Sequence, residues 1–215
     1  QAQGLDGLTA PLTSLQSIAA SAIEEIKAAQ PTGPYIIGGH CVGGLIAFEI
    51  CQQLKAQGDD IEKLIILDAP AAHFFTPKEA TLSDEQWISV FLSTIAHMLN
   101  KPLSIELATL EKSDHQQQLV LLKQKLAQVS VVPENTPISQ ISGFLSVFKS
   151  NASLFYPENL TPQAIPITLV RAQEVNPHYD YSCYDDENCD LASSSLGWNA
   201  YGETETKLVA GDHIT

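Results

Sequence analysis

The chain has 215 residues, 44% of them apolar, and a formal net charge of −14 at pH 7. That length buries a sizeable core in a single domain, 1–215, and no run approaches a membrane span or a signal peptide. The acidity excludes nucleic acid and anionic membrane as partners, because both need a basic face. The chain opens on Gln1 and closes on Gly211-Asp212-His213-Ile214-Thr215, so both ends read as cut.

Thr13 to Gln30 reads as an amphipathic helix with Leu15, Ile18, Ala22, Ile23 and Ile26 at helical spacing. Thr13 or Ser14 caps it, and Pro31 with Gly33 stops it. Tyr35-Ile36-Ile37 is a buried strand, followed through a glycine cluster by a second helix ending near Gly58. Leu64 to Leu67 is another uninterrupted apolar run. Helix, strand, helix, strand with apolar strands predicts an α/β fold: a mostly parallel sheet covered by helices on both faces.

After Pro70 the pattern changes. Three apolar stripes follow without strands: Trp87, Val90, Phe91, Ile95, Met98; then Leu119, Leu122, Leu126, Val129; then Ile138, Ile141, Leu145, Phe148. This block, 72–160, predicts a helical lid inserted into the α/β chain, ordinary covering helices being the alternative. Ile165 to Val170 returns to strand, 173–197 is an acidic irregular loop, and Lys207 to Ala210 is the last strand.

Cys41, Cys51, Cys183 and Cys189 form no CxxC pair and no zinc spacing. Free thiols fit a reducing cytosol, with a Cys183–Cys189 bridge as the alternative. No metal or cofactor is implied, since the histidines lack ligand spacing and the acidic 180–190 stretch lacks a calcium-loop pattern.

The informative stretch is Gly39-His40-Cys41-Val42-Gly43, the G-x-S-x-G nucleophile elbow with sulfur in place of the hydroxyl. In such an elbow the nucleophile occupies a strained turn between strand and helix. Glycine at positions 39 and 43 is expected to avoid collisions there. The following helix points its positive end at the site, which is expected to lower the thiol pKa and to offer the Val42 N–H to an oxyanion. A small buried cysteine in a glycine-rich turn is the alternative. On this scaffold the order is nucleophile, acid, histidine. Asp68 follows the Leu64–Leu67 strand and His213 follows the last strand, where parallel sheets assemble their sites. Glu174, one strand later, is a rival acid. Asp212 reads as a turn residue, and His40 as a packing or hydrogen-bonding residue.

Several segments together carry a resemblance: Gln1 to Gly7, Ala28 to Tyr35, Gly38-Gly39-His40, Val42 to Glu49, Gln53-Leu54, Leu67-Asp68 and Gly211-Asp212-His213. They resemble thioesterase domains of nonribosomal peptide and polyketide synthases, over about the first 70 residues and again at the end. The resemblance implies an α/β-hydrolase fold. It also implies a substrate arriving as a thioester on the phosphopantetheine arm of an upstream acyl or peptidyl carrier domain, in a bacterial cytoplasm. Chain release then follows by hydrolysis or by macrocyclisation. Cys41 matches the nucleophile, Asp68 the acid, His213 the base and Val42 N–H one oxyanion donor. The chain departs from the family in having Cys where serine is usual, and in lacking the segments that precede and follow this region. A free-standing Cys-type hydrolase of small esters or lactones, and a non-catalytic carrier-binding domain, are the competing readings.

Overall fold

The computed structural model describes residues 2–72, 82–156, 164–174 and 195–213. The acidic 180–190 stretch, with Cys183 and Cys189, lies outside them. In chain order the elements are α1 (Leu15–Ala29), β1 (Tyr35–His40), α2 (Val42–Ala56), β2 (Ile61–Leu67), α3 (Asp84–Leu99), α4 (Leu107–Glu111), α5 (His115–Gln128), α6 (Ile138–Ala152), β3 (Ile167–Ala172), a 3-10 turn (Trp198–Ala200) and β4 (Thr204–Val209). Two compact units result: Gln1–Leu12 with Glu79–Ser153, and Thr13–Lys78 with Leu154–Thr215.

The second unit carries a four-stranded sheet in the order β1-β2-β3-β4. Every neighbouring pair is parallel. β1 runs further than the apolar triplet predicts, through both glycines to His40, because its ladder with β2 continues to the His40–Leu67 pair. β3 starts after Pro166, which has no N–H to give a ladder. α1 is capped by Ser14, whose hydroxyl accepts from the Ser17 N–H, and α2 packs on β1 and β2.

One sheet face holds the core. Leu64, Ile66, Ile167 and Leu169 meet Leu45, Phe48 and Leu54 of α2 and the fully buried Trp198. Each such side chain contributes about 1.5–3 kcal/mol of hydrophobic stabilisation. The Trp198 indole N–H donates to the Ala69 carbonyl at 2.8 Å, which satisfies its buried polar group. The opposite face is less closely packed where it is described. Among the described residues Ile36 is 56% and Leu67 40% exposed. An apolar run signals that a strand is hydrophobic, but not which neighbours cover it.

The first unit is helical and has its own core, including Ile88, Leu92, Leu110, Leu122, Ile141 and Leu145. Capping boxes start two of its helices, Ser83 with Gln86 on α3 and Asp114 with Gln117 on α5. The α3 stripe differs from the predicted one, because Val90 is 40% and Met98 57% exposed while Ile88 and Leu92 are buried. The apolar residues of α3 cover a wide arc, so spacing alone does not centre its inward face. Packing fixes it: the Phe91 and Phe148 rings stand 5.0 Å apart, edge to face. The short α4 carries no periodic signal and was not predicted. The segment before Leu12 lies against α6, where a Cβ on Gly7 would sit 1.8 Å from the Ser139 carbonyl oxygen.

Candidate active site

The site is built at the carboxyl ends of β1, β2 and β4, all within the sheet-bearing unit. β1 ends at His40, and α2 begins at Val42. Cys41 between them has φ 54° and ψ −130°, a conformation that costs a non-glycine residue about 1–3 kcal/mol. The surroundings impose it. The Cys41 N–H donates to the Leu67 carbonyl at 3.3 Å, and its own carbonyl accepts from Gly44 N–H at 2.8 Å. The chain therefore leaves the ladder and enters the helix within one residue.

Glycine is required at 39, where a Cβ would lie 1.9 Å from the Gly43 carbonyl oxygen. The expected collision at Gly43 is not found, since among the described residues a Cβ there meets nothing within 4 Å. The tight position is instead Gly44, whose Cβ would come within 3.3 Å of the Ala69 side chain. The first turn of α2 crosses the end of β2 there. Val42, as the first helical residue, has an N–H with no intrahelical acceptor, at the positive end of the α2 dipole.

Asp68 directly follows β2 and is also held at positive φ, 45°. Its N–H continues the ladder to the Val170 carbonyl at 2.8 Å. Its carboxylate accepts two hydrogen bonds. Oδ1 takes the Ala172 N–H at 2.9 Å, and Oδ2 takes His213 Nδ1–H at 2.9 Å. A carboxylate only accepts, so His213 Nδ1 carries the proton of this hydrogen bond. Burial works against the Asp68 charge, but the His213 hydrogen bond, the Ala172 N–H and the nearby His213 and Arg171 charges outweigh it, and the pKa falls below the ordinary value.

His213 lies four residues beyond β4 and is only 6% exposed. Burial opposes a charged ring. The Asp68 hydrogen bond and the Cys41 side chain outweigh it, and the pKa is pushed up to about 9. His213 is thus joined to Asp68 by a hydrogen bond, and the Cys41 side chain is near enough to act on the same ring. Glu174 sits elsewhere in this arrangement: its backbone N–H donates to the Gly211 carbonyl at 3.0 Å, bracing the loop that carries His213. His40 makes a contact that the spacing could not announce. Its Nε2 lies 3.0 Å from the His213 carbonyl oxygen, across 173 residues of sequence. The Ala172 N–H and the Arg171 charge were equally invisible, since β3 reaches Asp68 only through the sheet.

Among the described residues no group of three or more His, Cys, Asp or Glu side chains is placed to hold a metal ion. Among them no helix is long and apolar enough to cross a membrane.

A family model for the thioesterase domain matches residues 1–215. The chain belongs to the thioesterase domain family. The polyketide synthase PksR of Bacillus subtilis is 36% identical over 98 residues, 45% of this chain and 4% of the synthase. The non-reducing polyketide synthase Preu8 of Preussia isomera is 43% identical over 68 residues, 32% of this chain and 3% of the synthase. The relatives thus include a bacterial and a fungal synthase, and this thioesterase domain spans only a few per cent of their length. Among solved structures, the four-domain nonribosomal peptide synthetase holo-AB3403 superposes with a TM-score of 0.77 at 24% identity, covering 100% of this chain and 15% of that one. The Vlm2 thioesterase domain superposes with a TM-score of 0.57 at 22% identity, covering 94% of this chain and 69% of that one. At these identities the likeness is one of fold, the α/β-hydrolase fold with a parallel sheet.

Proposed function

We propose that this thioesterase domain releases an acyl or peptidyl chain from the phosphopantetheine thioester of a carrier protein, through an acyl-enzyme on Cys41. The observation that carries the reading is the strained Cys41 beside an imidazole that Asp68 holds by Nδ1 at 2.9 Å. His213 Nε2 takes the thiol proton. The sulfur attacks the thioester carbonyl, and the Val42 N–H at the α2 terminus receives the oxyanion. Collapse expels the pantetheine sulfur, which takes the proton from the imidazolium and leaves as a thiol. In the second half His213 takes a proton from water, or from a hydroxyl or amine of the bound chain. That oxygen or nitrogen attacks the acyl carbonyl, and Cys41 leaves as the thiol. Water gives an acid; an internal nucleophile gives a ring.

Sulfur suits a demanding release. A serine acyl-enzyme is an oxoester, more stable than the thioester that loads it. A cysteine acyl-enzyme is another thioester, so loading is nearly isoenergetic and the chain stays activated, with thiolate the better leaving group. In this reading an upstream carrier domain is the partner. The synthase relatives support that setting.

The test is intact-protein mass spectrometry after incubation with acyl thioesters of N-acetylcysteamine. An acyl adduct mapping to Cys41, absent in Cys41→Ala and slowed at least 100-fold in His213→Ala, supports the reading. Released acid or ring identifies the acceptor. No adduct and no turnover across several acyl chains replaces this reading with a non-catalytic, carrier-binding one.

A further inference from the structure

The geometry points to His40 as a positioning residue that fixes the catalytic imidazole from the nucleophile's own strand. This rests on the assignment of Cys41 and His213 made above. Three observations carry it. His40 Nε2 is 3.0 Å from the His213 carbonyl oxygen. The two rings stand 4.6 Å apart between centroids, with their planes at 30°. His40 is the last residue of β1 and the chain neighbour of Cys41.

A carbonyl only accepts, so His40 Nε2 carries the proton and donates it. The need for this bond follows from how His213 is otherwise held. Its strand, β4, leaves the ladder at Val209. The Glu174 N–H then holds the Gly211 carbonyl, and His213 follows two residues later. At the ring, the Asp68 bond at Nδ1 fixes one point and does not by itself set the tilt of the imidazole. A swing about that point moves Nε2 relative to the Cys41 sulfur. The His40 bond fixes the His213 backbone, and the tilted His40 ring beside it closes one side of such a swing. Because His40 precedes Cys41 in a sheet-held strand, nucleophile and base are tied together through a single residue. A shift on the order of 1 Å is enough to slow a proton transfer about 100-fold.

His40 is exposed, so its replacement leaves both cores untouched. Two variants separate its two contacts. His40→Phe keeps a ring against His213 and loses the donor. His40→Gln loses the ring and keeps an amide N–H at similar reach. The readout is the single-turnover acylation of Cys41 by an N-acetylcysteamine thioester, resolved into a maximal rate and a half-saturating concentration, with thermal midpoints checked for both variants. We expect His40→Phe to lower the maximal rate about tenfold with the half-saturating concentration unchanged, and His40→Gln to stay within about threefold of wild type. His40→Phe at the wild-type rate overturns the proposal, and so does an equal loss in both variants. His213→Ala distinguishes the two levels. If it acylates at the wild-type rate, the reading of the whole site falls. If it is inactive while His40→Phe is fully active, only the role of His40 falls.

Discussion

Asp68→Asn tests the electrostatic centre of the site. The carboxylate accepts from two fixed donors, the Ala172 N–H on Oδ1 and His213 Nδ1–H on Oδ2, both at 2.9 Å. Asparagine has one carbonyl oxygen. The backbone N–H of β3 cannot move away, so that oxygen faces Ala172 and the amide NH2 faces the imidazole. His213 must then present a lone pair at Nδ1 and carry its proton on Nε2, against the sulfur, the wrong tautomer for accepting a thiol proton. The charge that favours the imidazolium is lost as well. Wild-type His213 has its pKa pushed up to about 9, against an ordinary value of about 6.5, a difference of about 3 kcal/mol in proton affinity. Asp68 and Cys41 share that stabilisation, and burial opposes it. Removing the Asp68 share should lower the midpoint by at least about one pH unit, or about 1.4 kcal/mol. Histidine Cε1–H chemical shifts followed from pH 5 to 10 read it directly, with the His213 signal assigned by its loss in His213→Gln. Acylation of Cys41 should fall about 100- to 10,000-fold in the same variant. A His213 midpoint unchanged in Asp68→Asn, or acylation within threefold of wild type, refutes the reasoning.

The linkage has a definite sign. A ring whose folded pKa is raised contributes stability in full below about pH 6.5 and loses it as pH rises through about 9. Thermal midpoints of the wild type should therefore fall across that window, and more steeply than those of Asp68→Asn. Gly39→Ala drives a Cβ to 1.9 Å from the Gly43 carbonyl oxygen and should cost more than about 2 kcal/mol in urea unfolding. Gly43→Ala has open space among the described residues and should be neutral or stabilising by up to about 1 kcal/mol through helix propensity. Trp198→Ala removes a fully buried indole that packs edge to face on Phe48 at 5.3 Å and should cost about 3–5 kcal/mol in the same assay. Burial pushes the Cys51 thiol up to about 12, so iodoacetamide on the native protein at pH 8 should leave Cys51 unmodified until denaturant is added, as peptide mapping will show.

Much of this protein was legible in its sequence because the signals are local. Gly39-x-Cys41-x-Gly43 between an apolar run and an amphipathic stretch describes one sharp turn, and strained turns are specified by the few residues that make them. The meeting of Asp68 and His213 was legible because Asp68 directly follows one strand and His213 lies four residues beyond another, and parallel strands bring their carboxyl ends to one edge. Tertiary structure decided what depends on residues far apart in the chain. Sheet order puts Asp68, rather than Glu174, against the His213 ring. The crossing of α2 over β2 makes Gly44, rather than Gly43, the tight position. The partners of α3 centre its inward face on Ile88 and Leu92 within a wide apolar arc. The donation of His40 to the His213 carbonyl joins residues 173 apart. A short-range pattern fixes backbone conformation, but a hydrogen bond or a van der Waals contact needs its second atom, and only the folded chain supplies it.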